Sequence, residues 1–242
     1  MKILAVIPAR YQSQRFPGKP LVRLGERPMV QWVYEAACQC PLFDRVVVAT
    51  DNDKIADCVR EFGGRVEMTR DDHLTGTDRV AEVAERYPEM EVVANVQGDQ
   101  PFVTPRSLSQ LLDPYLQGET PEMTTLGCPL DSEAAYRDPN TVKVLCDVRG
   151  HALYFSRAPI PYYRNRGSAP VYHHLGLYAF RQDFLAEYAK LTPTPLEQCE
   201  GLEQLRVLEH GYAIRVCQTE KAAIEINTPD DLDKAQLYIQ SR

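Results

Sequence analysis

The sequence has no apolar run long enough to cross a membrane. Its N-terminal apolar stretch covers only residues 3–7 before Pro8 and Arg10, which is too short for a signal peptide. It also has no surplus of positive charge, because the formal net charge of −7 argues against general affinity for nucleic acid. These absences predict a cytoplasmic protein that binds neither a membrane nor a nucleic acid.

The cysteines form no recognisable framework. There are seven of them, an odd number, and no two are spaced as C-x-x-C. Such scattered cysteines are typical of reduced thiols rather than of a disulfide framework or a zinc site. Internal repeats and low-complexity linkers are absent too, so the 242 residues suit one α/β domain that spans residues 1–242.

The first half of the chain alternates between apolar runs and amphipathic stretches. The runs at 45–51 and 92–99, like the first, end in polar residues, as buried parallel strands do. Amphipathic patterns predict helices at 28–39, 53–62 and 77–87, and Asp53 is a suitable N-cap for the second of these. This alternation predicts an α/β fold with a doubly wound, mostly parallel sheet.

The second half has a different texture. Further elements are predicted as helices at 105–117, 183–191, 200–210 and 229–240, and as strands at 123–130, 141–147, 152–155, 175–180 and 213–217. Thr228 at a cap position, followed by Pro229 and two acids, marks the start of the last helix. The segment 123–180 is therefore a β-rich insertion that could serve as a substrate lid or a dimerisation arm.

A polar loop follows the first strand and carries three cations without a carboxylate: Arg10, Arg15 and Lys19. Loops at the carboxyl ends of parallel strands bind ligands in open α/β sheets, and uncancelled cations suit a triphosphate. A solvated basic loop is the alternative interpretation, although such a loop has no reason to follow so apolar a strand.

Two common phosphate-binding motifs are missing from this loop. The first glycine is Gly18, so the glycine-rich dinucleotide fingerprint is absent. A Walker A loop would need a glycine in place of Ser13 and a serine or threonine in place of Pro20.

Residues 7–10 (Ile-Pro-Ala-Arg) and 16–21 (Phe-Pro-Gly-Lys-Pro-Leu) resemble the signature of the sugar-acid cytidylyltransferases, most of all the branch that activates 3-deoxy-manno-octulosonate (Kdo). The resemblance runs almost end to end. It implies a Rossmann-like nucleotidyltransferase fold and the reaction CTP + Kdo giving CMP-Kdo and pyrophosphate, with Mg²⁺. It also implies a homodimer, formed in part by the insertion, and a role in making lipopolysaccharide or a related surface polysaccharide.

A second matching segment is 73–79 (His-Leu-Thr-Gly-Thr-Asp-Arg), which reads the nucleotide in that family. Gly76 would permit close backbone approach and Thr77 could cap a helix, although an ordinary helix start with a solvated Arg79 fits the spacing as well. The resemblance implies nucleotide binding by ten residues, namely Ala9, Arg10, Ser13, Arg15, Lys19, His73, Gly76, Thr77, Arg79 and Gln97. Arg10, Arg15, Lys19 and Asp99 are the predicted catalytic residues.

Asp99 ends the third apolar run and could present a hard oxygen ligand to Mg²⁺, or could merely cap a turn. The family more often has glutamate where this chain has Gln100. Near the C-terminus the family has an aspartate that binds the metal, and here Asn227 replaces it. We predict that Asp99 and Asn227 bind Mg²⁺. Because Asn227 replaces an acid, two alternative functions stay open: a cytidylyltransferase for a modified or different sugar acid (amino-Kdo or sialic-type), and a silent nucleotide-binding regulator.

The resemblance also implies a sugar site made of Arg157, His174, Tyr178, Glu203 and Gln204. Arg157 suits the sugar carboxylate, because a guanidinium binds a carboxylate in two places. The others could bind hydroxyls, or Tyr178 could be a core aromatic and Glu203 and Gln204 a solvated helix face. His173 and His174 would point in opposite directions in a strand, and His174 aligns better.

Overall fold

The computed structural model of the chain describes residues 1–12, 16–130, 132–165 and 169–240. These residues form two compact units. The first contains Met1–Ser109 together with the C-terminal segment from Ala223, and the second is Gln110–Ala222.

The elements are numbered along the chain. The strands are β1 (Ile3–Ala9), β2 (Arg23–Leu24), β3 (Arg27–Pro28), β4 (Arg45–Thr50), β5 (Val66–Met68), β6 (Val92–Asn95), β7 (Met123–Pro129), β8 (Lys143–Cys146), β9 (Ala152–Ser156), β10 (Tyr172–Arg181) and β11 (Ile214–Gln218). The helices are α1 (Met29–Cys38), α2 (Asp53–Glu61), α3 (Gly76–Ala84), α4 (Pro105–Leu116), α5 (Glu133–Arg137), α6 (Gln182–Tyr188), α7 (Pro195–Glu200), α8 (Leu205–Glu209) and α9 (Pro229–Gln240).

The first unit is built on four parallel strands in the order β6-β1-β4-β5. Every residue of β1 is buried, because it lies between two neighbours and is apolar along its whole length. Leu4 pairs with Arg45 of β4, and Ile3 pairs with Val92 of β6. All carboxyl ends therefore meet at one edge, which confirms the α/β prediction.

The second unit is richer in antiparallel pairing. β7 pairs with β11 in parallel and with β10 in antiparallel fashion, and β8 pairs with β10 and β9, also antiparallel. The segment 123–180 belongs to this unit and contributes four of its strands.

Some details of the predicted elements are wrong. The N-cap of α2 is Asn52 rather than Asp53, because its side chain accepts a hydrogen bond from the Lys54 amide. The N-cap of α3 is Thr75, which forms a capping box with Asp78, so Thr77 is not the cap.

The predicted helix at 200–210 is also wrong, because α7 ends where Gly201 adopts a left-handed conformation with φ of 63° and α8 follows. The sequence patterns did not predict β2, β3, β5, α5 or α7. The start of α9 agrees with the prediction, since Thr228 Oγ1 accepts from the Asp231 amide at 3.3 Å.

None of the seven cysteines forms a disulfide within the part of the chain that the structure describes. Within the described ranges, no helix has both the length and the hydropathy needed to cross a membrane.

A buried ion pair joins α7 to α8 in the second unit. Arg206 donates two hydrogen bonds to Glu197, at 2.8 and 2.5 Å, and both side chains are buried. We expect Glu197→Ala to lower the free energy of unfolding by about 3–5 kcal/mol, because it breaks a buried ion pair and also removes the capping box that Glu197 forms with Thr194. Urea unfolding measures this loss.

The matched control is Glu187→Ala, which removes an exposed partner of Lys190 at 3.5 Å. It should change the free energy of unfolding by about 0–1 kcal/mol. Equal losses in the two variants would contradict the importance of the buried pair.

Candidate active site

The ammonium group of Lys19 lies among oxygens from two other segments of the first unit. It donates to Asp99 Oδ2 at 3.0 Å, to the Ile226 carbonyl at 3.0 Å and to Asn227 Oδ1 at 3.4 Å. Lys19 starts a short 3-10 turn directly after Gly18, whose φ of 71° is in the left-handed region that favours glycine. The point occupied by this ammonium is called the cation point below.

The backbone holds Asp99 and Asn227 at the cation point. A side chain at Gly98 would be crowded, because a Cβ there would lie 3.1 Å from the Pro8 carbonyl oxygen at the end of β1. The Ile226 amide donates to the Asp99 carbonyl at 2.9 Å, and the Ile226 side chain is buried in a cluster with Leu24, Met29 and Ala235. The two predicted metal residues are therefore brought together, although 128 positions separate them in the sequence.

Glu225 was missed by the sequence analysis and lies beside this group. Its carboxylate accepts from Gln100 Nε2 at 3.0 Å and from Asn227 Nδ2 at 3.4 Å. Burial, with the nearby negative charge of Asp99 as a smaller cause, raises the pKa of Glu225 to about 7. No spacing rule in the sequence singles out this glutamate.

A cavity of about 800 Å³ opens beside the cation point, a volume in the range of small-molecule sites. Five of the predicted site residues line it: Ala9, Arg10, Lys19, Gln97 and Asp99. Arg10 is exposed, and its guanidinium donates to the Leu74 carbonyl at 3.2 Å. The predicted residues Ser13 and Arg15 lie outside the described residues.

The start of α3 approaches the end of β1 closely. A Cβ on Gly76 would lie 3.4 Å from Pro8 Cγ, so Gly76 does permit a close approach. The buried Asn95, which the sequence analysis missed as a site residue, donates to Thr77 Oγ1 at 3.0 Å and accepts from Gln97 Nε2 at 3.2 Å. A polar residue inside the apolar run of β6 is a signal that could have revealed it.

His73 and Arg79 are held by carboxylates. His73 Nε2 lies 2.5 Å from Glu82 Oε2. Arg79 is completely buried and pairs with Asp51 at 3.3 Å, so it is not the solvated arginine of the alternative interpretation. Burial lowers the pKa of Arg79, and the Asp51 charge acts in the opposite direction.

Three of the predicted sugar residues meet in the interior of the second unit. Tyr178 donates to Gln204 Oε1 at 3.1 Å, Gln204 Nε2 lies 3.4 Å from His174 Nδ1, and His174 Nε2 lies 3.0 Å from Thr125 Oγ1. Thr125 in turn donates to the Leu177 carbonyl at 2.8 Å, so the hydrogen bonds run in one consistent direction. Burial lowers the pKa of His174 to about 3, and neighbouring His173 adds a smaller effect in the same direction.

The other two predicted sugar residues lie nearby in the same unit. Arg157 donates to the Glu200 carbonyl at 2.8 Å and to the Pro139 carbonyl at 3.1 Å. Buried Lys143 donates to the Arg157 carbonyl at 2.7 Å and so fixes this part of the backbone. Glu203 is half-buried in the turn before α8.

The chain is similar to known proteins in both sequence and structure. The sequence profile described as "Cytidylyltransferase" matches residues 4–220. A 3-deoxy-manno-octulosonate cytidylyltransferase of Acaryochloris marina is 76% identical over 99% of this chain and 98% of that protein. The chain belongs to the cytidylyltransferase family, in the 3-deoxy-manno-octulosonate branch. A Synechococcus elongatus cytidylyltransferase of the same name is 56% identical over the full length of both chains.

Solved structures agree with the cytidylyltransferase assignment. A structure of CMP:2-keto-3-deoxy-manno-octonic acid synthetase complexed with CTP has a TM-score of 0.95 and 41% identity, and covers 100% of this chain and 99% of that one. A 4-diphosphocytidyl-2C-methyl-D-erythritol synthase from Anaerococcus prevotii has a TM-score of 0.66 at 16% identity, covering 99% and 98% of the two chains, and shows the fold alone. The resemblance stated from the motifs is thereby confirmed.

The protonation state of the buried His174 ring can be tested by NMR. Since its pKa lies far below the usual value near 6.5, we expect the imidazole to stay neutral from pH 8 to pH 5. Its ring proton and carbon shifts in NMR spectra should be constant over this interval. A titration midpoint between pH 5 and pH 8, assigned to His174 by its loss in His174→Gln, would show that the ring is not buried as described.

Proposed function

We propose that this protein catalyses the reaction of CTP with Kdo to give CMP-Kdo and pyrophosphate. The observation that carries the proposal is the 76% identity, over nearly the whole chain, to a protein named 3-deoxy-manno-octulosonate cytidylyltransferase. Support comes from the 800 Å³ cavity, which is lined by Arg10, Lys19 and Asp99 at the carboxyl ends of β1 and β6.

In the proposed reaction, a sugar hydroxyl attacks the α-phosphorus of CTP. The new bond joins the sugar oxygen to this phosphorus, the bond to the β-phosphate oxygen breaks, pyrophosphate leaves and the hydroxyl proton is lost to solvent. Lys19 and Arg10 hold the negative charge of the phosphates, because fixed cations in a partly dry cleft stabilise charge that develops on the leaving group. Arg15 has the same role in the proposal.

The residues at the cation point fit Mg²⁺. Two side-chain oxygens and one backbone carbonyl already surround an ammonium there, and hard oxygens of this kind are the ligands that Mg²⁺ takes. The described residues contain no group of three or more His, Cys, Asp or Glu side chains arranged to hold a metal. That is consistent with an ion held by few protein ligands plus substrate phosphates, where it neutralises charge. Asp99 and Asn227 would hold it.

The sugar site and the assembly complete the proposal. Arg157, His174, Tyr178, Glu203 and Gln204 would bind the sugar acid, and His174 would do so as a neutral ring because of its lowered pKa. We also propose a homodimer, formed in part by the segment 123–180. Large exposed apolar side chains in this segment, such as Val148, Leu153 and Tyr162, support it.

Release of pyrophosphate, measured over a panel of nucleotides and sugar acids, tests the reaction. We expect the highest rate with CTP and Kdo, and a preference for CTP over UTP of about tenfold or more, because a buried hydrogen bond lost to the wrong base costs roughly 1–3 kcal/mol. Highest turnover with another sugar acid would favour the modified-sugar alternative. CTP binding without pyrophosphate release from any sugar acid would instead identify a regulator.

Lys19→Met and Asp99→Asn test the cation point. Each removes one charge at nearly constant volume, and we expect each to reduce kcat/KM by about 100-fold or more, since such preorganised charges typically contribute that much. The control Lys190→Met removes an exposed cation from the second unit and should retain full activity. Near-normal kcat/KM in either site variant would show that the residue has no part in the reaction.

A further inference from the structure

We propose that Glu225 is a positioning residue of the cation point: it holds the Asn227 amide so that Oδ1 faces the bound cation, and it supplies the negative charge that Asn227 lacks. The inference rests on the proposed function, because that function requires a cation at this point. What it predicts, however, is the affinity for the cation and not the rate of the reaction.

The orientation of the Asn227 amide depends on Glu225. Asn227 Nδ2 donates to Glu225 Oε2 at 3.4 Å, which leaves Oδ1 on the opposite side, 3.4 Å from the Lys19 ammonium. If the amide were turned over, its NH₂ group would face the ammonium and its oxygen would face the carboxylate. Both contacts would be repulsive, so the charges on the two sides specify one orientation.

Gln100 completes the arrangement from the opposite side of Glu225. It is buried, and its Nε2 donates to Glu225 Oε1 at 3.0 Å. The two positions at which this chain departs from the family pattern, Gln100 and Asn227, are thus both amides that donate to the same carboxylate. A carboxylate at either position would face Glu225 with like charge, so the two amides suit this glutamate better than acids would.

The number of charges near the cation point supports the proposal that Glu225 supplies the negative charge that Asn227 lacks. With Asn227 neutral, Asp99 is the one carboxylate among the described residues that contacts the cation point directly. Glu225 lies one hydrogen bond behind Asn227, because its carboxylate accepts from Asn227 Nδ2 at 3.4 Å. A carboxylate at this distance attracts a divalent ion, as outer partners of metal ligands commonly do.

Binding of Mn²⁺ alone to the full chain, followed by the EPR signal of the free ion, tests the proposal without any turnover. We expect Glu225→Gln to weaken Mn²⁺ binding about tenfold, the lower end of what loss of such outer partners causes. The control Glu89→Gln removes an exposed glutamate from the same unit and should bind Mn²⁺ as the wild type does. Unchanged Mn²⁺ affinity in Glu225→Gln would overturn the proposal.

The double variant Glu225→Gln/Asn227→Asp separates charge supply from mere structure. It moves the carboxylate to position 227, so we expect Mn²⁺ affinity to return to within about threefold of wild type. Failure of this rescue, with both variants folded by circular dichroism, would mean that Glu225 acts only on structure and would also overturn the proposal.

Glu225→Asp gives an independent measurement if Glu225→Gln does not fold. It retains the charge and shortens the side chain by one methylene, so its loss of Mn²⁺ affinity should be smaller than tenfold; a larger loss would contradict the role of charge. Because the probe is Mn²⁺ without substrate, a failure of pyrophosphate release in the substrate panel would contradict the proposed reaction and leave this result standing.

Discussion

The ammonium of Lys19 and the carboxylate of Asp99, 3.0 Å apart, bring together parts of the first unit that are remote in sequence. The contact depends on the backbone bond from the Ile226 amide to the Asp99 carbonyl, and that bond depends on the burial of the Ile226 side chain. Apolar packing therefore fixes the position of a polar site. The buried Ile226 side chain anchors the segment that carries the Ile226 carbonyl and the Asn227 amide oxygen, and both of these oxygens face Lys19.

The other polar groups around the Lys19–Asp99 ion pair balance the negative charge in this region. Asp99 and Glu225 bring two negative charges to a confined region, where like charges would destabilise each other. Lys19 offsets one of them, and the Gln100 and Asn227 amides stabilise the other by hydrogen bonds without adding charge. Burial is the main cause of the raised pKa of Glu225, and the negative charge of Asp99 adds to it.

Sequence patterns predicted the parts of this structure that depend on local regularity. The all-apolar β1 and the Thr228-Pro229 start of α9 follow directly from periodicity and capping preferences. The N-caps of α2 and α3 could not be predicted in this way. Several residues that can cap a helix lie within two positions of each other, and the backbone geometry decides which of them is the N-cap. Glu225 could not be found, since its partner Gln100, which is remote in the sequence, comes near it only through long-range packing.

The same reasoning applies to the polar residues of the second unit. Taken singly, Tyr178 and Gln204 are indistinguishable in sequence from a core aromatic and a residue of a solvated helix face. The structure places them in one buried chain with His174 and Thr125, in which each donor has an acceptor. Such a chain avoids the cost of unpaired buried polar groups only while the imidazole is neutral, because a second ring proton would face the Gln204 amide group. Burial lowers the pKa of His174, and the neutral ring that results is the form that these hydrogen-bond directions require.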